Sequence, residues 1–355
     1  MGERILMKGV EAVAEAAIKA GCRYFFGYPI TPQNETPEYM SKRLPQVGGV
    51  YLQGESETAS INMVMGAAAT GARVMTTTSS PGFSLMVESI SYMAGMELPC
   101  VIANVVRGGP GLGNIAPAQS DYFQATKGGG HGDYRNIVFG PSTVQELVDL
   151  TILAFELADK YRNPVVILAD GALGQMMEPL TFLEEIKLES LPPKPWALTG
   201  AEGRESNLVM AFEMEPEKLE EINWRLQKKY EQIVKEEVRW EEYYTYDAEY
   251  IIVAYGTAGR IAKSAVKSLR EEKIPVGLVR PITLWPFPYG VMIELVPQVE
   301  AFLVVEMSAG QMVEDVRLAV GDRRPIFFYG RPGGMVPTLR EIIQKVKETM
   351  PLLDF

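Results

Sequence analysis

Residues 54–86, GESETASINMVMGAAATGARVMTTTSSPGFSLM, change rhythm three times, and those changes decide the fold. Residues 58–71 are rich in Ala, Gly and Ser, and read as a helix that another backbone or a ligand can approach closely. VMTTTSS has the β-branched content of a strand. SSPGFS then reads as a loop, a helix runs on to about Gly95, and LPCVIANVV reads as a buried strand. Working towards the N-terminus, Val10, Val13, Ala14 and Ala17 recur at helical spacing, Gly21 ends that helix, and Arg23, Tyr24, Phe25 and Phe26 form the next strand. YPITP must follow as a loop, because each Pro disfavours helix in the residue before it. Working towards the C-terminus, Ser142 with Gln145 reads as a capping box opening the helix VQELVDLTILAFELADKY, and NPVVILAD is a further strand. This alternation is the rhythm of parallel βαβ units, so the expected fold is α/β with a doubly wound parallel sheet over residues 1–185.

Beyond it the composition shifts. Residues 186–247 hold the Pro-rich LESLPPKPW and a charged stretch in which Leu219, Ile222, Leu226, Tyr230 and Ile233 form one apolar face, expected to be a linker whose helix straps two domains. Residues 248–355 read as a second, smaller α/β unit with strands YIIVAY, VGLVR, AFLVVEM and PIFFYG, and a last helix near TLREIIQKV. Two domains suit 355 residues of which 47% are hydrophobic. The balance of 45 acidic against 34 basic side chains gives a net charge of -11, which disfavours nucleic acid and anionic membrane as partners. Cys22 and Cys100 are far apart in apolar surroundings and read as buried free thiols of a reducing compartment. The opening 21 residues carry too many charges for a signal peptide, and no stretch is apolar for long enough to span a bilayer, so a cytoplasmic location is expected.

In open parallel sheets, ligands bind at the loops beyond the carboxyl ends of the strands. Here those loops are YPITP, GESET, SSPGF and RGGPGLGN. Taken singly each has a bland reading. A carboxylate such as Glu57 at a helix start is a favourable dipole partner, and Glu55 is a solvated loop residue. Arg107 at a strand end fits an ion pair as well as a ligand carboxylate, and Phe83 fits the core as well as a ligand's ring. The one histidine, His131, is more often structural than catalytic in such a setting. GGPGLGN lacks the Lys-Ser/Thr of a phosphate loop and reads as a mobile loop, while Gly256 and Gly259 of AYGTAGR miss the dinucleotide fingerprint.

Together, YPITP, ESETASINMVMGAAATGAR, TTSSPGFSLM and RGGPGLGN, in this order, resemble the alpha-type subunit of the 2-oxoacid:ferredoxin oxidoreductases. KGGGHGDYR, RPITLWPFP and VVEMSAGQM extend the resemblance over nearly the whole chain. It implies that the first domain is a thiamine diphosphate-binding domain of the pyrimidine type and that the second is similar to the transketolase C-terminal domain. It also implies site roles. The Glu matching Glu57 hydrogen-bonds the ring nitrogen of the aminopyrimidine, which favours the imino form of the neighbouring amino group that takes the thiazolium proton. Thr31 and Arg107 hold the substrate carboxylate. Pro29, Ser79, Ser80, Gly82 and Phe83 lie along the pyrimidine.

The same resemblance implies partners. The diphosphate and its Mg2+ need a Gly-Asp-Gly motif followed by Asn; ADGALGQ and VGDRRP do not fit, which puts both on a beta subunit. Iron-sulfur clusters take four cysteines each, so gamma-type and ferredoxin-like delta subunits carry them and pass electrons to ferredoxin. Coenzyme A is the co-substrate. Within the family, RGGPGLGNIAPAQSDYFQATKGGGHGDYR is more similar to the branched-chain type, acting on 3-methyl-2-oxobutanoate, than to the 2-oxoglutarate type. A catalytically silent scaffold subunit and a thiamine-dependent enzyme without iron-sulfur partners are the other readings.

Overall fold

A computed structural model describes residues 4–350. In chain order it gives β1 (Ile5–Lys8), α1 (Gly9–Lys19), β2 (Tyr24–Gly27), α2 (Glu35–Arg43), β3 (Val50–Gln53), α3 (Glu57–Ala69), β4 (Val74–Thr78) and α4 (Ser80–Gly95). Next come β5 (Cys100–Val106), α5 (Tyr122–Thr126), β6 (Ile137–Phe139), α6 (Val144–Tyr161), β7 (Pro164–Asp170), α7 (Gly171–Gln175) and β8 (Met177–Leu180). The long α8 (Pro216–Glu237) leads to β9 (Trp240–Tyr243), β10 (Tyr250–Val253), α9 (Gly256–Glu271), β11 (Val276–Pro281) and β12 (Thr283–Trp285). Last are α10 (Tyr289–Leu295), β13 (Ala301–Glu306), α11 (Met312–Val320), β14 (Ile326–Gly330) and α12 (Leu339–Thr349).

The strands form a seven-stranded sheet in the order β12-β6-β7-β5-β4-β2-β3 and a five-stranded sheet in the order β14-β13-β10-β11-β9, while β1 and β8 pair apart from both. Within the first sheet β3, β2, β4, β5, β7 and β6 run parallel. β4, β5 and β7 are buried along their whole length, which is why their sequences, apart from Asn104 and the terminal Asp170, are apolar or Thr runs rather than alternations.

Each sheet takes an edge strand from outside the stretch expected to build it. β12, from the stretch expected to form the separate second unit, pairs antiparallel with β6 of the first sheet. β9, from the stretch expected to be linker, pairs antiparallel with β11 of the second. Three local expectations change. SSPGFS is no loop: Ser79 is the N-cap and the helix starts at Ser80, with Pro81 in the first turn where its missing N–H costs nothing. The cap of α6 is Thr143, whose hydroxyl accepts from Glu146 N, while Glu146 reaches back to Ser142 N; the Ser142–Gln145 reading was one residue out of register. On α8, Leu226, Tyr230 and Ile233 are buried against the same chain, but Leu219 is exposed.

Candidate active site

The parallel register of β3, β2, β4 and β5 brings their carboxyl ends to one edge, so the segments leaving Gln53, Gly27, Thr78 and Val106 meet there. Glu57 is the first residue of α3 and only 5% exposed. Ser56 caps that helix by accepting from Ala59 N, so Glu57 is not needed as the cap, and no other described residue hydrogen-bonds its carboxyl. Gly82, in the first turn of α4, faces it: a Cβ there would stand 2.5 Å from Glu57 Oε1 and 2.2 Å from Thr78 Oγ1. Glycine is therefore required for the carboxyl to lie where it does. The Thr78 and Ser79 hydroxyls beside it are buried and unpartnered.

The α4 start also reaches the next strand. Arg107 N donates to Ser80 Oγ at 3.0 Å, and the hydroxyl donates to Arg107 O at 3.3 Å. The Arg107 side chain is 7% exposed; its Nη1 donates to Thr31 O at 2.9 Å and its Nη2 to Leu112 O at 3.2 Å, and its Nε is buried without a partner. Among the described residues it has no carboxylate partner, so the ion-pair reading of Arg107 gains no support. A buried guanidinium held by carbonyls, with a donor to spare, is suited to a ligand carboxylate. Thr31 Oγ1 accepts from Asn34 Nδ2 at 3.4 Å, and Pro29 is exposed at the start of the same turn.

Hydrogen bonds thus join Thr31, Ser80 and Arg107, and van der Waals contact joins Gly82 to Glu57. Phe83 stands apart in role: at 1% exposure it is core, with no ring face left open, and it backs the site rather than lining it. His131 is elsewhere. Its carbonyl accepts from Ser91 Oγ and its ring meets Tyr92 edge-on at 5.7 Å, about 16 Å along α4 from Ser80. Glu55 is exposed, as a solvated loop carboxylate should be.

Some residues near the site were not singled out by sequence. Asp121 is buried and accepts from Asn104 Nδ2 at 2.9 Å; burial pushes its carboxyl up from the ordinary range, and hydrogen bonds from Ser80 and Asn104 draw it back. No local pattern marks it, since its partners lie on α4 and β5. Asp170, in the ADGALGQ motif, caps α7 through Ala172 N and Leu173 N and also accepts from Thr257 N at 3.1 Å and Thr257 Oγ1 at 2.8 Å. The start of α9 in AYGTAGR is therefore satisfied by a carboxylate of the first sheet, which leaves no vacancy for a dinucleotide phosphate. Glu306 plays the same part for α11, accepting from the backbone N–H groups of Gln311, Met312 and Val313.

RGGPGLGN is not the free loop that its glycines suggested. Gly111 and Gly113 have positive φ and turn the chain back on itself, so that Asn114 N donates to Gly108 O and Gly108 N to Ala116 O, each at 2.9 Å. Among the described residues no group of three or more His, Cys, Asp and Glu side chains is placed to hold a metal ion, and no helix is long and apolar enough to cross a membrane.

Residues 15–244 match the family described as pyruvate flavodoxin/ferredoxin oxidoreductase, thiamine diphosphate-binding, and residues 248–342 match pyruvate:ferredoxin oxidoreductase core domain II. The chain is 53% identical to ketoisovalerate oxidoreductase subunit VorB of Methanothermobacter thermautotrophicus, over 97% of each chain. It is 36% identical to 2-oxoglutarate synthase subunit KorA of Methanocaldococcus jannaschii, over 96% of this chain and 98% of that one. Among solved structures it is similar to the 2-oxoglutarate:ferredoxin oxidoreductase of Magnetococcus marinus, with a TM-score of 0.85, 29% identity, and coverage of 98% of this chain but 65% of that one. A split-gene transketolase shares the fold, with a TM-score of 0.61 at 15% identity. The parallel sheet, the four segments at its carboxyl edge and these full-length matches have one common meaning: the chain belongs to the 2-oxoacid:ferredoxin oxidoreductase family, whose members are subunits of oxidoreductase complexes.

Proposed function

We propose that this chain binds the aminopyrimidine half of thiamine diphosphate in a coenzyme A-dependent 2-oxoacid:ferredoxin oxidoreductase that acts on branched-chain 2-oxoacids, 3-methyl-2-oxobutanoate foremost. The observation that carries the reading is the Glu57 carboxyl: nearly buried, not spent on capping its helix, and given its space by Gly82. Such a carboxyl is placed to share a proton with a ring nitrogen in surroundings that exclude most water. Thr78 and Ser79 add buried hydroxyls that await partners. Bound thiamine diphosphate supplies the nucleophilic carbon and the electron sink for decarboxylation. This chain's part is to hold and orient: Glu57 the pyrimidine, Arg107 and Thr31 the substrate carboxylate, with Pro29 and Ser80 shaping the turns that carry them.

The rest of the machinery belongs to partners in this reading. Asp170, the carboxylate nearest to a diphosphate motif, is already committed to four donors, which supports a beta subunit as holder of the diphosphate and Mg2+. Cys22 and Cys100 are separate buried thiols that burial pushes up, to about 12 for Cys22, so neither suits cluster ligation; gamma and ferredoxin-like delta subunits would carry the clusters and deliver electrons to ferredoxin. Such free thiols also suit a reducing cytoplasm.

For the substrate, the relatives at 53% identity are named for ketoisovalerate, and the side chains beside Arg107 on its loop, Leu112 and Ile115, are apolar and exposed. A 2-oxoglutarate substrate is the second reading, favoured by the relatives at 36% and by the solved enzyme titled with 2-oxoglutarate, coenzyme A and succinyl-CoA bound. Reduction of a viologen dye by the purified complex, with coenzyme A and a panel of 2-oxoacids, separates them. Higher kcat/KM for branched acids supports the first reading; 2-oxoglutarate outrunning every branched acid replaces it with the second.

A further inference from the structure

Arg107 owes its orientation to two carbonyls, and one of them, Leu112 O, sits on the ring closed by residues 108–116. That ring is tight. A Cβ on Gly113 would fall 1.8 Å from Gly108 O, so its shape depends on glycine. Among the described residues, one side-chain hydrogen bond ties it to the turn after β14, beside the packing of Ala116 on Gly334. Asn114 Oδ1 accepts from Ala116 N at 2.9 Å, within the ring, while Asn114 Nδ2 donates to Gly333 O at 2.9 Å, in the turn after β14 and 219 residues away. The amide lies in a socket of two glycines: a Cβ on Gly108 would meet Asn114 Oδ1 at 2.6 Å, and one on Gly334 would meet it at 2.9 Å.

The contact is the first rung of a ladder. Gln119, buried, exchanges bonds with Met307 N and O and donates to Tyr255 O; Gln311 bonds Ser120 O and Phe123 N; Asp315 takes Tyr122 and Lys127. The segment running from the substrate-side arginine to Lys127 is thus built on the five-stranded sheet and its helices. The Gly333 turn is on the same body.

We infer that Asn114 is a positioning residue: its amide latches the 108–116 ring to the Gly333 turn and, through Leu112 O, aims the Arg107 guanidinium at the incoming carboxylate. The inference rests on the reading of Arg107 as the carboxylate's partner. A long Arg side chain has much rotamer freedom to lose, and a carbonyl held at the right place removes part of that loss before substrate arrives. The second unit thereby contributes to substrate binding without touching substrate.

The test uses the whole complex and compares Asn114→Ala, which removes both bonds, with Asn114→Asp, which keeps the acceptor for Ala116 N but loses the donor to Gly333 O. Both should raise KM for the 2-oxoacid about threefold to tenfold, the worth of one hydrogen bond partly open to water, with kcat and Tm nearly unchanged. In combination with Arg107→Lys, Asn114→Ala should add little further, because the two act as one unit. Unchanged KM in both variants, a fall in kcat with KM constant, or full additivity with Arg107→Lys would each overturn the inference. Arg107→Lys alone guards the underlying reading: if its KM is unchanged, the carboxylate does not bind there, whereas a raised KM with inert Asn114 variants rejects the latch only.

Discussion

At the scale of single residues, Gly82 is the most exacting position. The Glu57 carboxyl and the Thr78 hydroxyl both occupy the space that any side chain would need. Gly82→Ala should therefore displace Glu57 and remove dye reduction, while overpacking costs about 1–3 kcal/mol in a denaturant titration and the far-UV spectrum is unchanged. Asp170 gives a pH signature. Burial raises its carboxyl above the ordinary value, opposed by the Thr257, Leu173 and Ala172 donors. The folded state thus holds the proton more tightly than the unfolded chain, so this group's contribution is greatest in acid and declines as pH rises from the ordinary Asp value through the raised folded one. The Tm of wild type minus that of Asp170→Asn should fall across that window and level off above it; a difference that grows with pH contradicts the assignment. Glu57, Thr31 and Arg107 were singled out in the sequence because each sits in a motif specific in combination, and the structure brings the Arg107 side chain onto Thr31 O. Asn114 and Asp121 were not, because their partners, Gly333 and Asn104, are supplied by the fold and leave no mark of spacing.

Among elements, the helix starts and the strap repay comparison with their sequences. The parallel core was readable from the runs VMTTT and CVIANVV, since strands buried on both faces need no alternation. The start of α4 was misread because Ser-Ser-Pro-Gly is turn-like in composition, whereas Pro at a first helical turn is equally at home and Ser79 can precede it. The periodicity of α8 identified its apolar face but not where tertiary contact stops. Ile233 is fully buried and Tyr230 meets Trp285 edge-on at 5.8 Å, while Leu219, on the same stripe, is 45% exposed. Ile233→Ala should then cost about 2–5 kcal/mol in equilibrium unfolding and Leu219→Ala less than about 0.5 kcal/mol. Equal costs would mean that the whole stripe is packed.

For the whole molecule, the two sheets are one construction. β12 crosses from the second stretch to the first sheet, Asp170 holds the start of α9, and Arg280 of β11 forks onto Glu146 of α6 at 2.7 and 3.1 Å while its Nε bonds Glu241 at 2.8 Å. Sequence reading did not anticipate the crossing of β12 because a strand that leaves for another sheet has no local signature; β12 is only three residues long. Arg280→Met takes the guanidinium from Glu146 and leaves Glu241 to Lys263 alone, and it should lower stability by about 3 kcal/mol with one unfolding transition for both sheets, as followed by calorimetry. Two separated transitions in the wild type would show that the sheets are not one construction. The central claim, however, concerns the carboxyl edge of the first sheet, where the silent-scaffold reading predicts no chemistry. The most direct measurement is the rate of ferredoxin reduction by the reconstituted complex carrying Glu57→Gln, at saturating thiamine diphosphate, 2-oxoacid and coenzyme A. A loss of at least about a hundredfold, with assembly and Tm retained, is the predicted result; turnover close to wild type would contradict it.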